Sequence, residues 1–229
     1  MRVTLITMAF GALLALGDAA SGQTPPSVEE MAAYTGLHAA AARGDAEAIT
    51  KLVAGGVDPN GQDQAGRTAL HVAAFGGHHA VMRSLVRGGA DPRALEDRRY
   101  DIVTIAAVQD DVATLRLALE LGADPRAITS PYDGTALIAA AHLGHNAVVR
   151  LLIAAGAPLD HVNNLGWTAL IEAIVLGDGG VRHVACLEAL IAAGARLDLG
   201  DRGGATPLAL ARARGYAAMV ELLERAGAR

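Results

Sequence analysis

Apolar positions along residues 69–88 fall into two clusters with helical spacing. The first, ALHVAAF (69–75), is narrow and alanine-rich; in the second, AVMRSLVRG (80–88), Val81, Met82, Leu85 and Val86 share one face. A polar turn, DQAGRT (63–68), precedes the pair, a glycine turn divides it, and GADP (89–92) closes it. The arrangement recurs. Leu37, Leu70, Val103, Leu137, Leu170 and Leu208 form a ladder with steps of 33, 33, 34, 33 and 38 residues. Gly56, Gly89, Gly122, Gly156, Gly194 and Gly227 form a second, with steps of 33, 33, 34, 38 and 33. Two ladders of one period predict an array of two-helix units, none of which can bury its apolar face alone. Composition sharpens this picture. Hydrophobic residues make up 52% of the chain but aromatics only 3%, so the core must pack through small side chains in close helix contact.

The turns carry a more specific signature. GRTALH, DGTALI, GWTALI and GATPLA open four units at Thr68, Thr135, Thr168 and Thr206, and GGVDP, GGADP and LGADP close three. These runs resemble the ankyrin repeat. The resemblance covers residues 29–229 and implies an all-α ankyrin-repeat solenoid of six helix-turn-helix units, at about 29–61, 62–94, 95–128, 129–161, 162–199 and 200–229. It further implies that the threonine hydroxyl caps the first helix, that the motif histidine (His38, His71) ties neighbouring loops, and that the protein binds other proteins and is not an enzyme. SVEE (27–30) reads as a capping box opening the leading helix.

The N-terminus departs from this pattern. Met1-Arg2 precedes fourteen uncharged residues, VTLITMAFGALLAL, and then the small, polar GDAASGQTPPS. That order predicts a secretory signal over residues 1–22, cleaved after Gly22 or Ala20, with 23–28 as a linker; an N-terminal core helix is the alternative. The apolar run is shorter than the roughly 20 residues of a membrane span. The protein is therefore expected in the periplasm or outside the cell. Its one cysteine, Cys186, permits no internal disulfide and aligns with the buried Val81 and Val148. The net charge of −5, with no basic stripe, argues against nucleic acid. A monomer is expected, free of the membrane once the signal is removed.

Chemistry-bearing residues divide into those that repeat and those that do not. His38 and His71 share one phase, and His78 and His145 another. Repetition by unit indicates architecture, whereas a metal site needs several ligands in one place; no metal or cofactor is expected. His79 and His142 break phase and read as surface residues, and His161 and His183 as solvated loop residues. Gly44, Gly77, Gly144, Gly177 and Gly215 fall at the inter-helix turn, where left-handed backbone favours glycine; Asp110 replaces it once. LGDGGVRHVA (176–185) lacks the Lys-Ser/Thr of a phosphate loop and reads as five residues inserted into a turn.

Partner recognition is expected at the residues free of the repeat. The position before the motif threonine reads Arg67, Tyr100, Gly134, Trp167 and Ala205, side chains expected in a row at exposed turn tips. Arg98, Arg99 and Tyr132 flank it, and Phe75, His142 and Glu172 fall on the adjoining helix face. Arg, Tyr and Trp are enriched at interaction hot spots. The sequence thus points to a non-enzymatic protein-interaction module whose concave, tip-lined surface meets a protein partner. An accessory or stress-defence factor for a periplasmic enzyme, a secreted effector binding a host protein, and an enzyme sited in the glycine-rich insertion are the alternatives.

Overall fold

The computed structural model describes residue 23 and residues 25–229; the expected signal over 1–22 lies outside the described residues. The described residues form thirteen helices. A leading helix, α1 (Val28–Ala33), precedes six pairs: α2 (Gly36–Ala42) with α3 (Ala46–Ala54), α4 (Ala69–Phe75) with α5 (His79–Arg87), α6 (Ile102–Val108) with α7 (Val112–Glu120), α8 (Ala136–His142) with α9 (Asn146–Ala154), α10 (Ala169–Val175) with α11 (Val181–Ala192), and α12 (Pro207–Ala213) with α13 (Ala217–Arg225). First helices stack on first helices, and second helices on second, giving two layers that run the length of a solenoid. No helix among the described residues is long and apolar enough to cross a membrane.

The core follows the sequence ladder. Leu37, Leu70, Val103, Leu137, Leu170 and Leu208 are all buried, as are the alanines beside them, such as Ala41, Ala74, Ala107, Ala141 and Ala211. Alanine on the first helices lets the inner layer pack backbone close to backbone. Cys186 is completely buried among apolar neighbours, and burial pushes its thiol up to about 11, which leaves it an inert hydrophobe at neutral pH. The leading helix opens on the expected capping box: the Glu30 amide donates to Ser27 Oγ and the Ser27 amide to Glu30 Oε2.

Caps vary from unit to unit. Thr135, Thr168 and Thr206 accept through their hydroxyls from the amides of Ile138, Ile171 and Ala209, and Asp101 accepts from the Thr104 amide at 2.7 Å. At Thr68 the histidine three residues on does the work: His71 Nδ1 accepts from the Thr68 amide at 3.1 Å and its Nε2 donates to the Ala94 carbonyl. Both ring nitrogens are engaged in a buried site, so protonation is disfavoured and burial drives the pKa of His71 down to about 4. His38 Nε2 likewise donates to the Arg67 carbonyl at 2.8 Å.

A second set of bonds crosses the inter-helix turns. His78, Gln109, His145, His183 and Tyr216 each reach back one unit and donate to the carbonyls of Ala42, Phe75, Ala107, His142 and Gly177. His183 is therefore a staple and not a solvated loop residue, and His161 is another, donating to the Asp133 carbonyl at 2.6 Å. His79 also lies inward, bonded to the Thr114 hydroxyl. The insertion in the fifth unit differs from a simple longer turn. Three of its five residues extend α11 to 12 residues against 9 for α9, and two lengthen the turn to 176–180. The left-handed position there is Gly179 (φ 71°); Gly177, expected to fill it, is not left-handed.

Candidate binding groove

Every tip from the second unit on is built around one acceptor that gathers the amides two and four residues ahead. Asp63 takes those of Ala65 and Arg67, Glu96 those of Arg98 and Tyr100, Ser130 those of Tyr132 and Gly134, Asn163 those of Leu165 and Trp167, and Asp201 those of Gly203 and Ala205. Such side-chain-to-backbone bonds fix a tight turn without regular secondary structure. Successive tips are tied by the Asp97 amide donating to the Ala65 carbonyl and the Asn164 amide to the Tyr132 carbonyl. The left-handed tip position is Gly66, Arg99, Asp133, Gly166 and Gly204 in turn.

Tips and first helices of the third to fifth units enclose a groove of about 70 Å³. Tyr100, Ser130 and Tyr132 line it from the tips, Thr104 and Val108 from α6, Ile138, Ala139 and His142 from α8, and Asn163 and Glu172 from the fifth unit. Gln23 enters it from the N-terminal segment. Glu172, on α10, is 3% exposed. Its Oε1 accepts from Asn163 Nδ2 at 2.9 Å, while Oε2 has no hydrogen-bond partner among the described residues. His142 Nδ1 lies 3.5 Å from that oxygen, but burial and the nearby His183 and His145 hold the ring below its ordinary pKa, which disfavours an imidazolium beside the carboxylate. Burial raises Glu172 to about 7, against the smaller opposing effect of the Asn163 bond.

Of the nine residues expected to meet a partner, the groove gathers four: Tyr100, Tyr132, His142 and Glu172. The expected row of exposed tips is corrected at all five of its positions: Arg67, Tyr100 and Gly134 are buried, and Trp167 and Ala205 half-buried. Arg67 is 4% exposed, because its guanidinium turns inward to Asp63 at 2.7 Å and to Glu30 of the leading helix. Tyr34 Oη completes the cluster by donating to Asp63 at 2.6 Å. Tyr100 is 6% exposed and lies along the groove, where burial raises its hydroxyl pKa. His142, expected at the surface, is half-buried on the groove wall. Arg98 and Arg99 are exposed at the third tip, with Arg99 paired to Asp133 at 2.7 Å. Trp167 and Phe75 are half-buried and do not line the groove. The reading of single residues missed Asn163, whose signal was its register with Asp63, Glu96, Ser130 and Asp201.

Comparison with known proteins places the chain clearly. The family model described as "Ankyrin repeats (3 copies)" matches residues 37–129 and 103–199. A curated relative, the putative ankyrin repeat protein YahD of Escherichia coli strain K12, is 42% identical over 98 residues, covering 42% of this chain and 49% of its own length; the chain thus matches about half of that relative. Among solved structures, an ankyrin repeat domain from Acinetobacter baumannii AYE is 42% identical, with a TM-score of 0.79 over 84% of this chain and 98% of that one. A chain from the complex of the predatory endopeptidase Bd0816 of Bdellovibrio bacteriovorus with the immunity protein Bd3460 is 25% identical, with a TM-score of 0.69 over 84% of this chain and 98% of that one.

Proposed function

The chain belongs to the ankyrin-repeat family, whose members are in general protein–protein interaction modules, and on that premise we propose that it is an exported, non-enzymatic binding protein whose partner docks in the groove across the third to fifth units. The observation that carries this is the groove itself, where three consecutive units bring Tyr100, Tyr132 and a buried carboxylate with one free oxygen to one place. Tips bonded internally and to each other lose little freedom on docking, so little ordering cost offsets the contacts. Export rests on the charge and hydropathy order of residues 1–22, and the periplasm is the compartment it favours. The protein acts there as a monomer without cofactor, nucleic acid or membrane.

A second reading has a specific support. The similarity to a chain from an endopeptidase–immunity protein complex favours an exported enzyme as the partner over a host protein. One experiment tests both. Protein captured from periplasmic extract by the native chain is compared with that captured by Tyr132→Ala and, as a control on the outer layer, Arg83→Ala. Loss of one partner, a hydrolase or other exported enzyme, with Tyr132→Ala alone is the expected result. Equal capture by all three would remove the groove from consideration, and a partner found only in the cytoplasm would remove export.

A further inference from the structure

We propose that the groove contains an anchor site for a positively charged side chain, an arginine or lysine that the partner presents, held by the Oε2 oxygen of Glu172 in the groove that Tyr100 and Tyr132 also line. The inference rests on the binding reading above and gives that site its chemistry.

The first support is register. At the fourth residue of the first helix the six units read Ala39, Val72, Ile105, Ala139, Glu172 and Leu210. Five are apolar, as a position facing neighbouring helices requires, and one is an acid. Leaving an acid in that place is unfavourable unless something answers it. The second support is a matching departure at the fifth tip. The acceptor of the tip is Asp63, Glu96, Ser130 and Asp201 elsewhere; here it is Asn163. Asparagine keeps the acceptor oxygen that the turn needs and adds an amide NH₂, which it gives to Glu172 Oε1 at 2.9 Å. A carboxylate at 163 would oppose Glu172 directly. Two unit-specific residues thus hold one carboxylate in a fixed orientation, with Oε1 fastened and Oε2 open.

What the open oxygen lacks is positive charge. Among the described lining residues only His142 can carry it, and its ring is 3.5 Å away with its charged form disfavoured by burial. Asn163 gives its amide to the other oxygen, and Tyr100, Tyr132, Thr104 and Val108 are among the residues that line the same groove. Gln23 lines the same groove, yet neither its amide nitrogen nor its oxygen finds a partner among the described residues; this neutral donor does not satisfy the acid. A guanidinium or ammonium matches the site on both counts. It forms a charge-assisted bond to the carboxylate and is attracted by the aromatic faces. The chain's net charge of −5 favours the approach of a basic segment.

The test uses four small probes at pH 8: N-acetyl-arginine and N-acetyl-lysine N-methylamides, and their neutral counterparts built on citrulline and norleucine. Binding is followed by amide chemical shifts in the whole protein. Both charged probes are expected to shift Tyr100, Tyr132, Asn163 and Glu172, at least about tenfold more tightly than the neutral ones. In Glu172→Gln, an isosteric change that removes only the charge, that preference disappears while the amide spectrum elsewhere is retained. A readout in the unmodified protein guards against misfolding of the variant: the carboxyl carbon of Glu172 titrates near 7 alone and well below that with saturating arginine probe. Equal affinity for charged and neutral probes, shifts confined to another surface, or an unmoved Glu172 titration would each overturn the site. If Tyr132→Ala abolishes partner capture while Glu172→Gln leaves it intact, the groove stands and the cation anchor falls.

Discussion

Two hollows on this solenoid hold buried acids and treat them in opposite ways. At the N-terminal end, a hollow lined by Glu30, Tyr34, His38 and Asp63 adjoins the Arg67 cluster. There Asp63 has a guanidinium, a phenol and two amides on its oxygens, and these bonds hold its carboxyl below the usual range in spite of burial. In the central groove, Glu172 has one amide and an open oxygen, and its carboxyl is pushed up. The first arrangement is closed: every charge is answered within the chain, and it joins the leading helix to the second unit. The second leaves one carboxylate oxygen without a hydrogen-bond partner among the described residues. An arginine and a tyrosine near a tip therefore do not by themselves mark an exposed surface.

The contrast breaks most visibly at Arg67. Replacing it with alanine leaves Asp63, whose side chain is 9% exposed, without its cation, and frees Glu30. Removing one partner of a buried pair costs about 3–5 kcal/mol; with Glu30 44% exposed, about 2–4 kcal/mol is expected here. Because units in an array are stabilised by their neighbours, the loss should fall on the N-terminal end. Urea unfolding monitored by amide exchange is expected to show α1 and α2 opening early while α8 to α11 keep their protection. Uniform loss of protection would mean the cluster is not a local seal.

A middle-sized effect separates the two acids by pH. Glu172 holds its proton more tightly folded (about 7) than unfolded (about 4.5). Between those values the unfolded chain binds fewer protons, so stability falls as pH rises through the window. Glu172→Gln should therefore match the native protein below about pH 4.5 and exceed it by about 1–3 kcal/mol at pH 8. His71 acts on the opposite side. Its folded pKa of about 4 lies below the ordinary 6.5, so its contribution is complete above 6.5 and is lost as pH falls toward 4. The native protein mixes the two limbs, and the Gln variant exposes that of His71. The check is the difference between two denaturation series taken from pH 4 to 8. A flat difference would show that Glu172 is solvated in the folded state.

The sequence made the fold legible because the ladder reports the core directly: Leu37, Leu70, Val103, Leu137, Leu170 and Leu208 are all buried. Staples were legible where they repeat, as at His38 and His71, and hidden where an insertion shifted them, as at His183, which reaches the His142 carbonyl across 41 residues in place of the 36 of His78. The groove was half legible. Tyr100, Tyr132, His142 and Glu172 were among the residues expected to meet a partner, but whether a side chain at a tip faces outward or folds onto the array depends on partners far along the chain. Arg67 meets Glu30 across 37 residues, a pairing that no local pattern contains.

The smallest effect concerns the third and fourth tips, where Arg99 and Asp133 adopt left-handed backbone, at φ 66° and 51°, in a register that is glycine at 66, 166 and 204. A non-glycine residue there costs roughly 1 kcal/mol, less for Asp, whose short side chain tolerates the conformation. Their ion pair, at 2.7 Å with both side chains about half exposed, returns about 0.2–1 kcal/mol. Arg99→Gly removes the strain and the pair together, so a change within about 0.5 kcal/mol of zero is expected, with the pair's share lost in 1 M salt. If Arg99→Gly instead destabilises by more than about 1 kcal/mol at every ionic strength, then the Arg99 side chain does for this tip what Arg67 does for its own, and the third tip belongs with the closed hollow and not with the open groove.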